Sequence, residues 1–140
     1  MKPLLLPISM LLVGCTPTIE KSHFNYDYVD VKEATISWSN IFLQKEDQYS
    51  VYFYSPTCGH CAEIKQDILA YYFESIETLY FVQTDEDTKF GSKTDLIGVN
   101  DIDSFHIFGT PFLINIKDHS VLKYYAGVNS ILSYIDENTK

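Results

Sequence analysis

The sequence predicts a single α/β domain with a central mixed β-sheet flanked by helices. Its 140 residues suffice for one hydrophobic core and are too few for two. Hydrophobic residues make up 46% of the chain and aromatic residues 15%, a composition that argues against disorder. Strand and helix patterns alternate through the first half, and two strands followed by a helix close the chain.

The first part of the predicted domain contains a strand, a helix and a second strand. Residues Phe24–Tyr28 alternate apolar and polar side chains, which indicates a strand. Asp30, followed three residues later by Glu33, has the form of a capping box, and Thr35–Gln44 continues as an amphipathic helix. The aromatic run Tyr49–Tyr54 then predicts a central strand that is covered on both faces.

The middle of the chain continues the alternation. A helical apolar stripe runs from Cys58 to Phe73, and Leu79–Val82 indicates a further buried strand. Thr84–Gly98 is polar and irregular, which predicts a solvated loop. The acidic run at 85–87 leaves a cation site in this loop as an alternative.

The last part of the chain predicts a hairpin between two helices. Asn100–Phe108 could hold a short helix. Phe112–Ile116 and Val121–Tyr125 are predicted strands joined by the polar turn 117–120, which indicates a hairpin. Ser130–Asn138 closes the domain as an amphipathic helix.

The charge of the chain disfavours one class of function. The formal net charge is −9 and the sequence contains no arginine. Nucleic-acid binding is disfavoured, because neutralising phosphates requires clustered lysine and arginine side chains. The acidity also opposes contact with anionic membrane surfaces and favours a soluble monomer.

The N-terminus has the pattern of an export signal. Lys2 precedes an apolar stretch, Leu4–Val13, that is shorter than the roughly 20 residues needed to span a bilayer. The segment from Leu12 to Cys15 resembles the lipobox of bacterial lipoproteins. The resemblance implies cleavage before Cys15 and a diacyl lipid on its sulfur, which suffices for stable anchoring.

This interpretation divides the chain into three parts. Residues 1–14 would be a lipoprotein signal peptide, residues 15–23 a tether, and residues 24–140 the folded domain. Extended at about 3.5 Å per residue, the tether would keep the domain within about 30 Å of the membrane. The alternative is an ordinary apolar leader in which Cys15 is incidental.

Cys58 and Cys61 carry the chemistry that the sequence predicts. Two cysteines at positions i and i+3 of a helix share one face and lie within disulfide reach. With Thr57 as N-cap, Cys58 would lie in the first turn, where free backbone N–H groups and the helix dipole favour a thiolate. Cys61 lies on the buried stripe. We therefore expect Cys58 to attack and Cys61 to resolve the mixed disulfide.

Two other interpretations of this pair are weaker. A zinc site would need further ligands, and the remaining cysteine and histidines are scattered through the sequence. Those residues are Cys15, His23, His106 and His119. A structural disulfide closing so short a loop would add little stability.

Gly59 and His60 lie between the cysteines and are expected to tune them. An imidazole near Cys58 would stabilise its thiolate. A fall in the pKa of Cys58 from ~8.5 to ~6 is worth ~3.4 kcal/mol, or about 70 mV, but accelerates attack only about two- to threefold. His60 is therefore expected to set the redox direction, toward an oxidant or isomerase, more than the speed.

Three segments resemble the thioredoxin-like superfamily. Tyr54–Cys61 is similar to the active-site segment of protein disulfide isomerase domains, which share the Cys-Gly-His-Cys core. Gly109–Ile114 resembles the thioredoxin loop that ends in a cis-proline, and Gly127 resembles the glycine after the terminal hairpin. The resemblance extends from Phe24 to Asn138 and implies a thioredoxin fold.

The resemblance also assigns roles and exposes two departures. It implies that Pro111 is cis and that Thr110 faces the sulfurs and offers backbone hydrogen bonds to a peptide; an ordinary loop proline is the alternative. The family usually has a buried acid six residues before the first active-site cysteine, and this chain has Tyr52. An aromatic residue usually precedes that cysteine, and here it is Thr57.

The sequence thus predicts a lipid-anchored thiol–disulfide oxidoreductase at the outer face of the cytoplasmic membrane. Its partners would be thiols and disulfides of exported proteins and a membrane redox partner, and no metal or organic cofactor is implied. Oxidation or isomerisation is favoured over reduction, although many lipid-anchored bacterial relatives are reductases. The alternative is a non-catalytic accessory or binding module for an exported peptide, for which Tyr52 and Thr57 are the best support.

Overall fold

A four-stranded mixed sheet forms the centre of the domain. The computed structural model describes residues 25–139, so the predicted signal peptide, the tether and Cys15 lie outside the described residues. The strands are β1 (Gln48–Tyr54), β2 (Leu79–Gln83), β3 (Phe112–Lys117) and β4 (Ser120–Ala126), in the spatial order β2-β1-β3-β4. β1 is parallel to β2 and antiparallel to β3, and β4 is antiparallel to β3. The predicted mixed sheet is confirmed.

β1 is the central strand because both of its faces are covered. Tyr52 and Tyr54 face the two helices, α1 (Gly59–Glu74) and α2 (Val128–Asn138). Val51 and Phe53 face a second core built from the Trp38 segment and the long connection between β2 and β3. Side chains buried in this way contribute roughly 1.5–3 kcal/mol each. The aromatic run therefore predicted the strand correctly.

α1 packs one stripe of side chains against the sheet. Its buried residues are spaced three or four apart, as the helical period requires. They are Cys61, Ile64, Ile68, Leu69 and Tyr71. Tyr72 and Phe73, predicted on or beside this stripe, are half-buried and exposed. In residues 25–139, no helix is both long and apolar enough to cross a bilayer.

The segment before β1 differs from its prediction. Phe24 lies outside the described residues. Over residues 25–28 the predicted strand is wrong, because residues 25–27 form no strand and a 3₁₀ segment begins at Tyr28 and runs to Ala34. The Asp27 carboxylate accepts the Tyr28 N–H and the Asp30 carboxylate accepts the Asp27 N–H, so a capping box lies three residues upstream of the predicted one. The short acidic side chains turn the chain where the apolar alternation suggested a strand.

The predicted helix Thr35–Gln44 is reduced to one 3₁₀ turn, Trp38–Asn40. The Ile36 N–H donates to the Phe81 carbonyl at 2.8 Å. The chain around Ile36 is therefore extended along the edge of β2, and a helix cannot begin there. The short helix predicted within Asn100–Phe108 is also absent, and that segment forms turns. Both segments still bury most of their apolar side chains in the second core, although Leu43 is exposed.

The two C-terminal strands form the predicted hairpin. Its turn consists of Asp118 and His119, which have φ values of 51° and 63°. Two consecutive residues of positive φ match the right-handed twist of a tight hairpin, and Asp and His tolerate that region better than most residues. α2 begins at Val128, slightly before its predicted start.

A polar cluster ties the helices to the end of the sheet farthest from Cys58. The Glu77 carboxylate accepts hydrogen bonds from the hydroxyls of Ser50, Tyr71 and Tyr134. The Asn115 amide donates to Ser50 Oγ at 2.6 Å and to the Tyr134 hydroxyl at 3.1 Å. Ser50, Tyr71 and Tyr134 are buried, and the half-buried Glu77 carboxylate thus joins β1, α1 and α2.

Candidate active site

Cys58 caps the helix that carries both thiols. After β1 the chain turns through residues 55–57, and Cys58 takes the extended N-cap conformation with φ −83° and ψ 117°. Its Sγ accepts the Cys61 backbone N–H at 3.2 Å, the role that serine or aspartate often fills. The prediction that Thr57 is the N-cap is wrong, since its exposed hydroxyl lies 3.1 Å from Ser55 Oγ.

The two thiols are in different electrostatic environments. Partial burial of Cys58 opposes its thiolate, but hydrogen bonds from Cys61, Thr110 and the first helical N–H groups together lower its pKa below the ordinary value. Burial raises the pKa of Cys61, which is only 2% exposed, and the hydrogen bond with Cys58 raises it further. Cys58 therefore supplies an accessible thiolate and Cys61 a buried thiol. Both cysteines are free in the structure.

The loop before β3 meets Cys58 at the end of the sheet where β1 leads into α1. The Thr110–Pro111 peptide bond is cis, as the family resemblance implied. The Thr110 carbonyl oxygen lies 3.4 Å from Cys58 Sγ, although the two residues are 52 positions apart. Gly127, with φ +87°, donates its N–H to the Pro111 carbonyl at 3.1 Å and leads into α2. The topology thus brings the predicted residues together.

An open groove runs beside this loop. Its volume is about 450 Å³, and its walls come from the first turn of α1, the Pro111 loop and the start of α2. They include His60, Thr110, Pro111, Gly127 and Asn129. The start of α2 was not assigned to the site by the sequence, and Gly127 was the one signal that pointed to it.

Gly59 and His60 both lie at the surface. A side chain at Gly59 would meet open space, so nothing packs on this position beside Cys58. The His60 Nδ1 lies 3.2 Å from Glu63 Oε1, and its side chain is 75% exposed. In the structure His60 contributes to the lowered pKa of Cys58 through its backbone N–H. Tuning by its imidazole stays a prediction, and Glu63 would partly offset the imidazole's charge.

Tyr52 lies in the core behind Cys61. Its side chain is fully buried, and no group among residues 25–139 forms a hydrogen bond with its hydroxyl. Burial strongly raises its pKa, and the phenol of Tyr28 and the two cysteines raise it further. Tyr28 comes from the 3₁₀ segment that was predicted as a strand. Sequence reasoning therefore had no signal for this neighbour.

The described residues offer no group of three His, Cys, Asp or Glu side chains placed to hold a metal ion. In the acidic run at 85–87, the Asp85 carboxylate accepts the backbone N–H of Asp87 at 2.9 Å. The run forms a local turn within the predicted loop.

Solved thioredoxin structures resemble this chain at low sequence identity. Thioredoxin f2 of Chlamydomonas reinhardtii has 12% identity and a TM-score of 0.49, covering 74% of this chain and 93% of that one. Thioredoxin NaTrxh of Nicotiana alata has 14% identity and a TM-score of 0.48, covering 76% and 94%. The oxidised thioredoxin of Plasmodium falciparum has 14% identity and a TM-score of 0.45, covering 74% and 90%.

No protein-family model matches the sequence, and no curated protein matches it. The fold class therefore rests on the chain's own topology. A mixed sheet, a Cys-x-x-Cys at the start of the helix after its central strand, and a cis-proline before β3 form a thioredoxin-like fold.

Proposed function

We propose that the protein is a thiol–disulfide oxidoreductase in which Cys58 exchanges with substrate and Cys61 resolves. The observation that carries the proposal is the asymmetry of the two thiols. Cys58 Sγ sits at a helix N-terminus, reachable from solvent and with a lowered pKa, while Cys61 is buried. A thiolate is the species that attacks a disulfide, and a thiol of low pKa is also the better leaving group.

The groove beside Pro111 is the proposed substrate site. A peptide lying there would meet the Thr110 backbone and pass Cys58 Sγ, which is 3.4 Å from the Thr110 carbonyl oxygen. In the oxidising direction, a substrate thiolate attacks Cys58 Sγ of the Cys58–Cys61 disulfide and Cys61 leaves, taking up a proton. A second substrate thiolate then attacks the mixed disulfide and releases Cys58 as a thiolate.

The proposal includes the location that the sequence predicts. Cleavage before Cys15 and its lipidation would hold the domain at the outer face of the cytoplasmic membrane. Its substrates would be exported proteins, and a membrane redox partner would restore the active-site pair. The apolar N-terminal run and the segment ending in Cys15 support this part.

Thiol trapping in the native cell tests the reaction. In the full chain, Cys61→Ala should retain mixed disulfides between Cys58 and substrate proteins, because the resolving thiol is gone. Acid quenching, alkylation and non-reducing electrophoresis would detect them, and the trapped partners should carry export signals. The matched control, Cys58→Ala with Cys61→Ala, should trap nothing. If Cys61→Ala traps no more than this control, the protein is the non-catalytic binding module instead.

The reduction potential of the Cys58–Cys61 pair tests the direction. The lowered pKa of Cys58 stabilises the reduced form, so we expect a potential clearly more oxidising than the about −270 mV of thioredoxin. His60→Ala should move it in the reducing direction by tens of millivolts, at most about 70 mV. His119→Ala, in the distant hairpin turn, should not move it. A wild-type potential at or below about −270 mV would contradict the oxidant proposal and indicate a reductase.

A further inference from the structure

Tyr52 carries a hydroxyl that packing alone does not explain. It lies on the face of β1 that packs against α1, in the same core cluster as Cys61, and is 0% exposed. Its hydroxyl has no hydrogen-bond partner among residues 25–139. A buried hydroxyl without a partner lowers stability, and phenylalanine would fill the same space without that cost. The hydroxyl therefore calls for a chemical role.

A second phenol approaches this hydroxyl from the N-terminal segment. Tyr28 is half-buried, and its ring stacks on that of Tyr54 with centroids 3.6 Å apart. The Tyr28 hydroxyl lies close enough to that of Tyr52 to influence its pKa, although outside hydrogen-bonding geometry. Both phenols also interact electrostatically with Cys61 and Cys58. The two side chains thus join the buried thiol to a partly exposed ring.

The segment that carries Tyr28 is held firmly on α1. The Gln66 side chain accepts the Tyr26 N–H at 3.0 Å and donates to the Tyr26 carbonyl at 2.8 Å. Lys65 Nζ lies 2.8 Å from the Asp27 carboxylate and 5.1 Å from the centre of the Tyr28 ring. These contacts hold the N-terminal segment on α1 and so fix Tyr28 beside the core.

We propose that Tyr52 and Tyr28 form a proton relay for the resolving thiol. As Cys61 attacks Cys58 Sγ of a mixed disulfide, the Cys61 thiol proton passes to the Tyr52 oxygen. The Tyr52 hydroxyl proton passes to the Tyr28 oxygen, and the Tyr28 proton passes to solvent water. The new Cys58–Cys61 disulfide forms, the substrate leaves as a thiolate, and both phenols end neutral. This inference rests on the proposed function and assigns the proton transfer of its resolving step. In the oxidising direction the same relay runs in reverse and returns a proton to Cys61 as it leaves Cys58.

Passing a proton through neutral phenols suits these groups better than holding one of them as a tyrosinate anion. Burial raises the pKa of both phenols well above the ordinary value, so neither ionises at neutral pH. A group that accepts one proton while donating another leaves no charge in the core. The other titratable or charged groups around the pair are Cys58, Tyr54, Lys65 and Asp27. Phe81 of β2 packs against both rings and does not titrate.

The two steps can be timed separately with an aromatic disulfide that releases a coloured thiolate. The reduced full chain should release one equivalent as Cys58 forms a mixed disulfide and a second as Cys61 resolves it. In Tyr52→Phe we expect the first step to stay within about twofold of wild type and the second to slow about tenfold or more. The deficit should shrink as the pH rises, because hydroxide then deprotonates Cys61 directly. Tyr28→Phe should behave alike, and the double variant should be no slower.

Tyr54→Phe is the matched control, since it removes one hydroxyl from the same aromatic stack. It should leave both steps unchanged, and Tyr52→Phe should keep or raise the midpoint of thermal unfolding. A normal second step in Tyr52→Phe, or an equal deficit in Tyr54→Phe, would overturn the relay alone. If wild-type protein released no first equivalent, the proposed function would fail, and the relay with it.

Discussion

Replacing Glu77 with alanine should lower the free energy of unfolding by about 4 kcal/mol. The carboxylate accepts hydrogen bonds from three hydroxyls, of which the buried Tyr71 and Tyr134 come from different helices. Without it, both phenols and the Ser50 hydroxyl lose their charged acceptor. An unsatisfied buried group costs about 1–3 kcal/mol, and the costs overlap because the hydroxyls can rearrange. The loss would be a large part of a typical stability of about 5–15 kcal/mol.

Urea unfolding followed by far-UV circular dichroism would measure this effect. Glu77→Gln keeps the shape and one acceptor oxygen, so we expect an intermediate loss of about 1–2 kcal/mol. The matched control is Glu74→Ala, at the exposed end of α1, which should cost less than about 0.5 kcal/mol. If Glu77→Ala cost no more than Glu74→Ala, the cluster would not tie the helices to the sheet.

The core of the fold could be predicted because its strands are self-evident in the sequence. Tyr49–Tyr54 is apolar on both faces, and only a strand covered on both sides satisfies such a run. The two C-terminal strands flank a tight polar turn, which brings them together locally. The same local logic placed Cys58 and Cys61 at the start of a helix. Its N-cap was misplaced by one residue because the sulfur itself accepts the capping N–H.

The segment before β1 could not be predicted because distant contacts shape it. Ile36 pairs with Phe81, 45 positions away, and this overrides the helical pattern around it. Tyr26 and Tyr28 alternate with polar residues as strand residues do. Their rings instead pack individually on Phe73 and Tyr54, while Asp27 caps a turn between them. The apolar periodicity correctly identified which side chains are partly buried, but the capping hydrogen bonds determine the backbone conformation of the segment.

The sequence predicted the two active-site cysteines from their spacing, but it did not identify all of the residues around them. Thr110 and Pro111 were found only through the family resemblance, because no local pattern links them to Cys58. Tyr52 was recognised as a departure, yet its neighbour Tyr28 depends on how the N-terminal segment docks on α1. Glu77 had no sequence signal, since its three hydroxyl donors are far apart in the chain and meet only when the sheet and helices are assembled.

Raising the pH above about 10 should unfold the domain cooperatively. Five tyrosines in the core are at most 5% exposed, and burial is the chief cause that raises the pKa of each. They are Tyr49, Tyr52, Tyr54, Tyr71 and Tyr134. Their folded pKa values lie above the unfolded value of about 10, so the unfolded chain releases these protons first. Their contribution to stability is complete below pH 10 and is lost as the pH rises.

The expected slope is steep enough to cancel the whole stability. Each tyrosine contributes at most about 1.4 kcal/mol per pH unit, and only between its unfolded and folded pKa values, so the five together give at most about 7 kcal/mol per unit. A domain of about 5–15 kcal/mol would therefore unfold within about one to two pH units above 10. Tyrosinate absorbance and far-UV circular dichroism should change together along the titration. Gradual tyrosine ionisation near pH 10 with an unchanged dichroism spectrum would contradict this prediction.

Two matched variants test whether the effect belongs to the five core tyrosines. Tyr52→Phe removes one core phenol without losing a hydrogen bond, so it should lower the slope by about 1.4 kcal/mol per pH unit and move the transition to higher pH. Tyr124→Phe removes the hydroxyl of a half-buried ring outside these five, which donates to the Thr94 carbonyl at 3.3 Å, and it serves as the control for the loss of a tyrosine hydroxyl. Suppose the unfolding transition of Tyr52→Phe moves to higher pH and its Cys61 also resolves mixed disulfides slowly. The Tyr52 hydroxyl would then assist thiol–disulfide exchange while lowering the stability of the domain at alkaline pH.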